Sequence, residues 1–125
     1  MRDELDDLLC KRYPNIFINR HLPIQQSAMG RGFECGDGWF DLIDTLCQRL
    51  QFLTDHGDAP QAVALQVKEK LGSLRFYVRN PTAEQSGMIG MAQAMSEKLC
   101  DICGNSAVLH TEGTLRTRCS GHLEE

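Results

Sequence analysis

The sequence predicts an α+β fold, helices packed on a β-hairpin with a C-terminal zinc knuckle, and three observations predict it. Segments with apolar residues at helical spacing flank a stretch near Leu71-Gly72 where apolar and polar residues alternate, and Cys100, Cys103, Cys119 and His122 form C-x2-C-x15-C-x2-H at the chain's end. These divide the chain into an α+β body over 1–99 (helix, long loop, helix, β-hairpin, helix) and a zinc-binding module over 100–125 packed on it.

The first helix is predicted from Asp3 to about Tyr13, with Leu5, Leu8 and Leu9 on one face, Cys10 packing beside them and Pro14 as the stop. From Pro14 to Gly38 no period holds and prolines and glycines recur, so 14–38 reads as a long loop and a candidate contact surface. Asp37 is positioned to cap a second helix running from Trp39 to about His56, which places Trp39, Leu42, Ile43, Leu46, Cys47, Leu50 and Leu53 on one side and stops at Gly57. A hairpin follows: Val63, Leu65 and Val67 alternate with Ala64, Gln66 and Lys68, and Leu74, Phe76 and Val78 alternate with Arg75, Tyr77 and Arg79. After Asn80-Pro81, Thr82 caps a third helix through Leu99, with Met88, Ala92, Met95 and Leu99 inward and Gly87 and Gly90 each costing about 1 kcal/mol relative to alanine. Its end runs into Cys100. Short strands are predicted at Ala107–His110 and Thr114–Thr117 between the cysteine pairs.

Two close pairs of soft ligands on short turns suit a tetrahedral divalent ion, and thiolate with imidazole favours structural Zn2+. Gly104 follows the first pair, where a metal knuckle needs a residue tolerant of positive φ. His110 is an alternative ligand, but Cys119-x-x-His122 reproduces the short turn of the first pair. Six cysteines could instead pair as disulfides, and an iron or iron–sulfur site is a third option. The acidic start, Met1-Arg2-Asp3-Glu4, has no apolar run behind it, so the expectation is a reducing bacterial cytoplasm. Four protein ligands leave no position for water, so the metal would build structure and not catalyse.

Composition bounds the function further. The 125 residues are 42% hydrophobic and 24% charged, an ordinary globular balance, and no apolar stretch approaches the length of a membrane span. The net charge of −4 arises in the first half, where six Lys or Arg face ten Asp or Glu over 1–62, against seven of each over 63–125. Such a chain lacks the overall attraction of a non-specific nucleic-acid binder. A local basic face remains: Lys68, Lys70, Arg75 and Arg79, with Tyr77 among them, project to one side of the hairpin and could meet phosphates and a base, or an acidic protein surface, or only water.

Other constellations carry less. Gly30-x-Gly32 and Gly36-x-Gly38 lack the strand and spacing of a phosphate loop and read as turn glycines. Cys35 has Glu34 and Asp37 beside it, which oppose a thiolate, and is not assigned as a nucleophile. Glu34, Asp37, Asp41 and Asp44 have the pattern of a polar helix face, and His21 and His56 lack partners at fixed spacing. No catalytic residue is assigned.

The segments Glu34-Cys35-Gly36-Asp37-Gly38-Trp39, Gln66-Val67-Lys68-Glu69-Lys70 with Gly72 and Leu74-Arg75-Phe76-Tyr77, and Cys100-x-x-Cys103-Gly104 with Cys119-x-x-His122 resemble a family of small uncharacterised proteins of bacteriophages and prophages. The likeness covers roughly 30–122, and this sequence has a shorter connection between the second helix and the hairpin. No catalytic role is carried over from the resemblance. It leads to the expectation of a zinc-stabilised phage or prophage protein that binds a host protein complex and inhibits or redirects it, an anti-CRISPR protein being one form. The alternative is a nucleic-acid-binding accessory protein using Lys68, Lys70, Arg75, Tyr77 and Arg79, and the third reading is a metal-dependent hydrolase.

Overall fold

Among the described residues there are three α-helices, a three-stranded sheet and a separate two-stranded hairpin, in the order α1 (Asp3–Arg12), β1 (Phe33–Glu34), α2 (Phe40–His56), β2 (Ala64–Lys70), β3 (Ser73–Val78), α3 (Ala83–Ser96), β4 (Val108–His110) and β5 (Arg116–Arg118). The structure is a computed structural model that describes residues 1–123; Glu124 and Glu125, assigned by sequence to the C-terminal module, lie outside the described residues.

The predicted long loop is irregular for most of its length but is pinned to the core at a few points. Ile16, Phe17, Met29 and Phe33 are buried, a short 3-10 helix forms at Ala28–Arg31, and β1 pairs in parallel with β2 in the register Phe33 to Val67 and Glu34 to Lys68. The β1–α2–β2 segment is thus a crossover unit that adds a third strand to the predicted hairpin. A strand of two residues has too little alternation to be read from sequence. The segment is also anchored by charge: Arg20 grips the buried Asp6 of α1 as a fork, Nε to Oδ1 and Nη2 to Oδ2 both at 2.9 Å. Gly32, at φ +78°, passes so near this pair that a Cβ there would lie 2.9 Å from Arg20 Nη2 and Asp6 Oδ2.

In α2, Ile43, Leu46, Cys47 and Leu50 are buried as their spacing requires, with Leu42 and Leu53 half-buried. Trp39 is buried as well, but it ends a 3-10 turn, Asp37–Trp39, that precedes the helix. Asp37 does not cap α2; its Oδ1 accepts from the backbone N–H of Arg2 at 2.8 Å instead.

The hairpin forms with one change of phase. Ala64 and Val67 are buried while Leu65 faces out, because an irregularity in pairing between Ala64 and Gln66 shifts the strand by one residue. Leu71 and Gly72 make a two-residue turn with φ +56° and +81°, the pairing Lys70 to Ser73 closing it. On the outer side of β3, Ser96 Oγ accepts the Leu74 N–H at 2.9 Å and Gln93 Oε1 accepts the Phe76 N–H at 3.1 Å, so side chains of α3 satisfy the strand's free edge.

Thr82 caps α3 reciprocally with Gln85, and the Gln85 amide also donates to the Pro60 carbonyl at 2.8 Å. Gln85, Ile89, Ala92 and Ser96 are buried on this helix; of the predicted inward residues Ala92 is buried and Met88 and Leu99 pack half-buried against the core, while Met95 is 41% exposed. The helix stops at Ser96 and not Leu99. Leu99 has left it to pair with Ser106, and the Cys100 N–H donates to the Asn105 carbonyl at 2.8 Å.

Candidate metal centre

Cys100, Cys103, Cys119 and His122 converge at the C-terminus, with one ligand atom from each lying within 4.8 Å of all the others. The first pair sits on the tight turn after the Leu99–Ser106 bridge, which Gly104 completes at φ +81°. The second pair follows β5: Cys119 precedes a single 3-10 turn, Ser120–His122, in which the His122 N–H donates to the Cys119 carbonyl at 3.0 Å. The β4–β5 hairpin, in register Val108 to Arg118 and His110 to Arg116, brings the two turns together.

The separations are compatible with a tetrahedron, one of them short. Cys103 and Cys119 Sγ are 3.7 Å apart, Cys100 Sγ lies 3.6 Å from His122 Nδ1, and Cys119 Sγ lies 3.2 Å from the same nitrogen. Tetrahedral bonds of about 2.3 Å to sulfur and about 2.0 Å to nitrogen require S–S edges of about 3.8 Å and S–N edges of about 3.5 Å. A disulfide would need its sulfurs about 2.05 Å apart, and all six cysteines are free thiols. His110, the alternative ligand, is engaged elsewhere, its Nε2 bonded to the Arg118 carbonyl at 3.1 Å.

Electrostatics set Cys100 apart, whereas its neighbour Cys103 is raised: the Asn105 N–H lowers it, but desolvation and the hydrogen bonds with Cys119 and Cys100 outweigh that. Burial works against ionisation of Cys100, yet backbone N–H groups of Cys119, Cys103 and Ile102 aimed at its sulfur hold its pKa down to about 6. Burial raises Cys35 to about 12 and Cys10 to about 11, with Asp101 and Asp6 respectively adding to the rise, and drives Cys47 well above the ordinary thiol value. Those three are core thiols. The cluster is therefore compatible with a closed site for a soft-ligand divalent metal, supplied by four protein groups. Comparison with models of protein families, with curated proteins and with solved structures returned no match to this chain.

What sequence reasoning missed is how the cluster is held. The Trp39 indole N–H donates to the Leu99 carbonyl at 2.9 Å, and the Gly38 N–H donates to the Asp101 carbonyl at 3.0 Å. Gly36 and Gly38 are glycines because the knuckle occupies the space a side chain would take: a Cβ at Gly36 would lie 1.9 Å from the Asp101 carbonyl oxygen. On the other side, Thr117 Oγ1 donates to the Gly72 carbonyl at 2.6 Å, so β5 rests on the turn of the first hairpin. Asp101, beside the first ligand, takes the Arg118 Nε at 2.5 Å, joining the two ligand turns. The signal for this was present as Gly-Asp-Gly-Trp, but nothing in the sequence says which backbone those glycines meet.

The residues named for the basic face do share one surface. Lys68 stands opposite Arg75 and Gln66 opposite Tyr77, which is 43% exposed, while Lys70 and Arg79 are exposed nearby. Glu34 lies beside Lys68 in the parallel register and accepts from Gln66 Nε2 at 3.3 Å, so an acid interrupts the cations. The carboxylates considered for hydrolysis are dispersed. Asp44 binds Arg12 at 2.9 Å and the Tyr13 hydroxyl at 2.7 Å, and among the described residues no second cluster of three metal-binding side chains occurs. Among the described residues, no helix is long and apolar enough to cross a membrane.

Proposed function

We propose that the chain is a non-enzymatic binding protein of phage or prophage origin whose closed site holds structural Zn2+. In this reading it acts in the bacterial cytoplasm by occluding or redirecting a host protein complex, as an anti-CRISPR protein would. Three thiolates and one imidazole select zinc over harder cations, and with four protein ligands the ion would lock the module over 100–125 to the body. Resemblance of the three sequence blocks to phage proteins supports the origin.

The observation that carries the binding reading is the segment between α1 and β1. Its flanks, Ile16, Phe17 and Met29, are core, yet Ile18 is 65% and Ile24 52% exposed, with Leu22 partly so. Apolar side chains held out by a rigid base suit a protein partner better than solvent. The test has two arms. Elemental analysis of purified protein should find one zinc per chain, lost in Cys119→Ser together with the folded C-terminal signals; a metal-free wild type with unchanged melting would overturn the zinc reading. Tagged protein should retain a host complex that Ile18→Asp with Ile24→Asp releases while leaving the melting curve intact.

A second reading rests on the Lys68–Arg75 pair beside exposed Tyr77. If the face binds single-stranded nucleic acid, fluorescence anisotropy should show affinity falling steeply with salt and lost on neutralising Lys68 and Arg75. No binding at low salt removes that reading.

A further inference from the structure

The outer surface of α3 is unlike that of a solvated helix. From Gln85 to Ser96 it carries no charged side chain, and Gly87, Gly90, Met91 and Ala94 face outward with Met91 71% exposed. Immediately beside this line a groove of about 250 Å3 opens between α2 and α3, walled by Leu42, Leu46, Met88 and Met95 with Thr45 and Arg49 on the α2 side. Space is open above both glycines, where a Cβ would meet nothing within 4 Å, so another backbone could approach closely. Methionine-lined apolar surfaces of this kind are adaptable contact sites.

The charges at the two ends of the line identify what covers it. Glu84 opens the helix and Lys98 lies just past its end, in the turn that continues the helical path through the Lys98 N–H bond to the Met95 carbonyl. Glu84, Met91 and Lys98 are spaced at successive heptads and are all exposed, with Gly87 and Ala94 between them. Neither Glu84 nor Lys98 forms an ion pair within the described chain. A surface that reads acid, small, methionine, small, base is complementary to itself when reversed.

We propose that two copies of the chain associate through antiparallel packing of α3 on its symmetry mate, with the two-fold axis at Met91. Glu84 of each copy then faces Lys98 of the other, and Gly87 faces Ala94. One surface serves both partners, as an isologous contact requires. The association is expected to be weak and transient, with a dissociation constant in the range of about 10–100 μM. The proposal is independent of the metal and host-complex readings.

Sedimentation velocity on the full chain, from about 10 μM to about 1 mM, should show a monomer–dimer equilibrium in that range. Glu84→Lys alone, and Lys98→Glu alone, should each weaken it about tenfold or more by placing like charges across both symmetry-related contacts. The double variant, Glu84→Lys with Lys98→Glu, should restore it, because the pairing is rebuilt with reversed polarity. Circular dichroism melts confirm that each variant folds; these side chains are exposed, so a merely structural effect would not be rescued by reversing both. A chain that stays monomeric to about 1 mM, or a dimer indifferent to the single reversals, overturns the proposal, as does an α3 surface that binds only a foreign protein.

Discussion

Gly38 lies so close to Cys100 that a Cβ on it would sit 2.1 Å from the Cys100 carbonyl oxygen and 2.5 Å from the Gly104 nitrogen. The approach is mutual, since a Cβ on Gly104 would lie 2.9 Å from the Gly38 carbonyl oxygen. Two segments far apart in the chain are therefore fitted backbone to backbone, and the turn that carries the first two cysteines takes its position from the start of α2. Trp39 adds a buried hydrogen bond to the Leu99 carbonyl at the same seam.

Gly38→Ala follows as the most direct test of that seam. The contacting atoms are main-chain and cannot rotate away, so the turn must shift; a cost of about 2–4 kcal/mol is expected, at or above the upper end for overpacking. The measurable outcome is a lower melting temperature together with faster metal loss to a competing chelator. Gly90→Ala is the matched control at low protein concentration: its Cβ meets nothing, and the gain in helix propensity should raise stability by about 1 kcal/mol. Equal behaviour of the two variants would show that the seam carries no energy.

Local pattern made much of this arrangement legible. The helical spacing of Ile43, Leu46, Cys47 and Leu50, the Thr82 cap, the hairpin about Leu71-Gly72 and the four clustered side chains are all properties of short stretches, and each forms where the sequence places it. The departures share a cause. Asp37 turns to Arg2, Ser96 turns to the edge of β3, and Phe33 joins β2, each through a partner more than twenty residues away. Leu65 faces outward for a local reason that alternation cannot encode, a single irregular step in the ladder. Cys35, beside the glycine seam, is buried, and that burial pushes its thiol up to about 12.

The hairpin turn offers a second prediction. Leu71 occupies a left-handed conformation at φ +56° while 57% exposed, so its side chain contributes little burial against the cost of that backbone. Asn-Gly is the preferred pair for a two-residue turn with both residues at positive φ. Leu71→Asn should therefore stabilise the protein by about 1 kcal/mol, read as a higher urea midpoint with an unchanged slope. A loss of stability would mean that the leucine makes contacts worth more than its strain, and a loss of partner binding without a loss of stability would assign the turn tip to recognition.

The Asp6–Arg20 fork yields the third. Asp6 is buried and the Arg20 side chain is 21% exposed, so the pair sits between the surface regime, worth less than about 1 kcal/mol, and the fully buried one. Removing either partner leaves the other charge in a site walled by Gly32, where Arg20 keeps only the Gly30 carbonyl 3.5 Å from Nη1 and Asp6 only the Cys10 thiol 3.7 Å from Oδ1. Asp6→Asn and Arg20→Met should each cost about 2–4 kcal/mol in urea unfolding, and the double variant should cost well below their sum. The segment carrying Ile18, Leu22 and Ile24 hangs from this fork, so both single variants should also increase amide exchange across that segment while leaving β4 and β5 protected. Additive costs, or exchange unchanged in the segment, would show that Ile16, Phe17 and Met29 hold it in place without the charge pair.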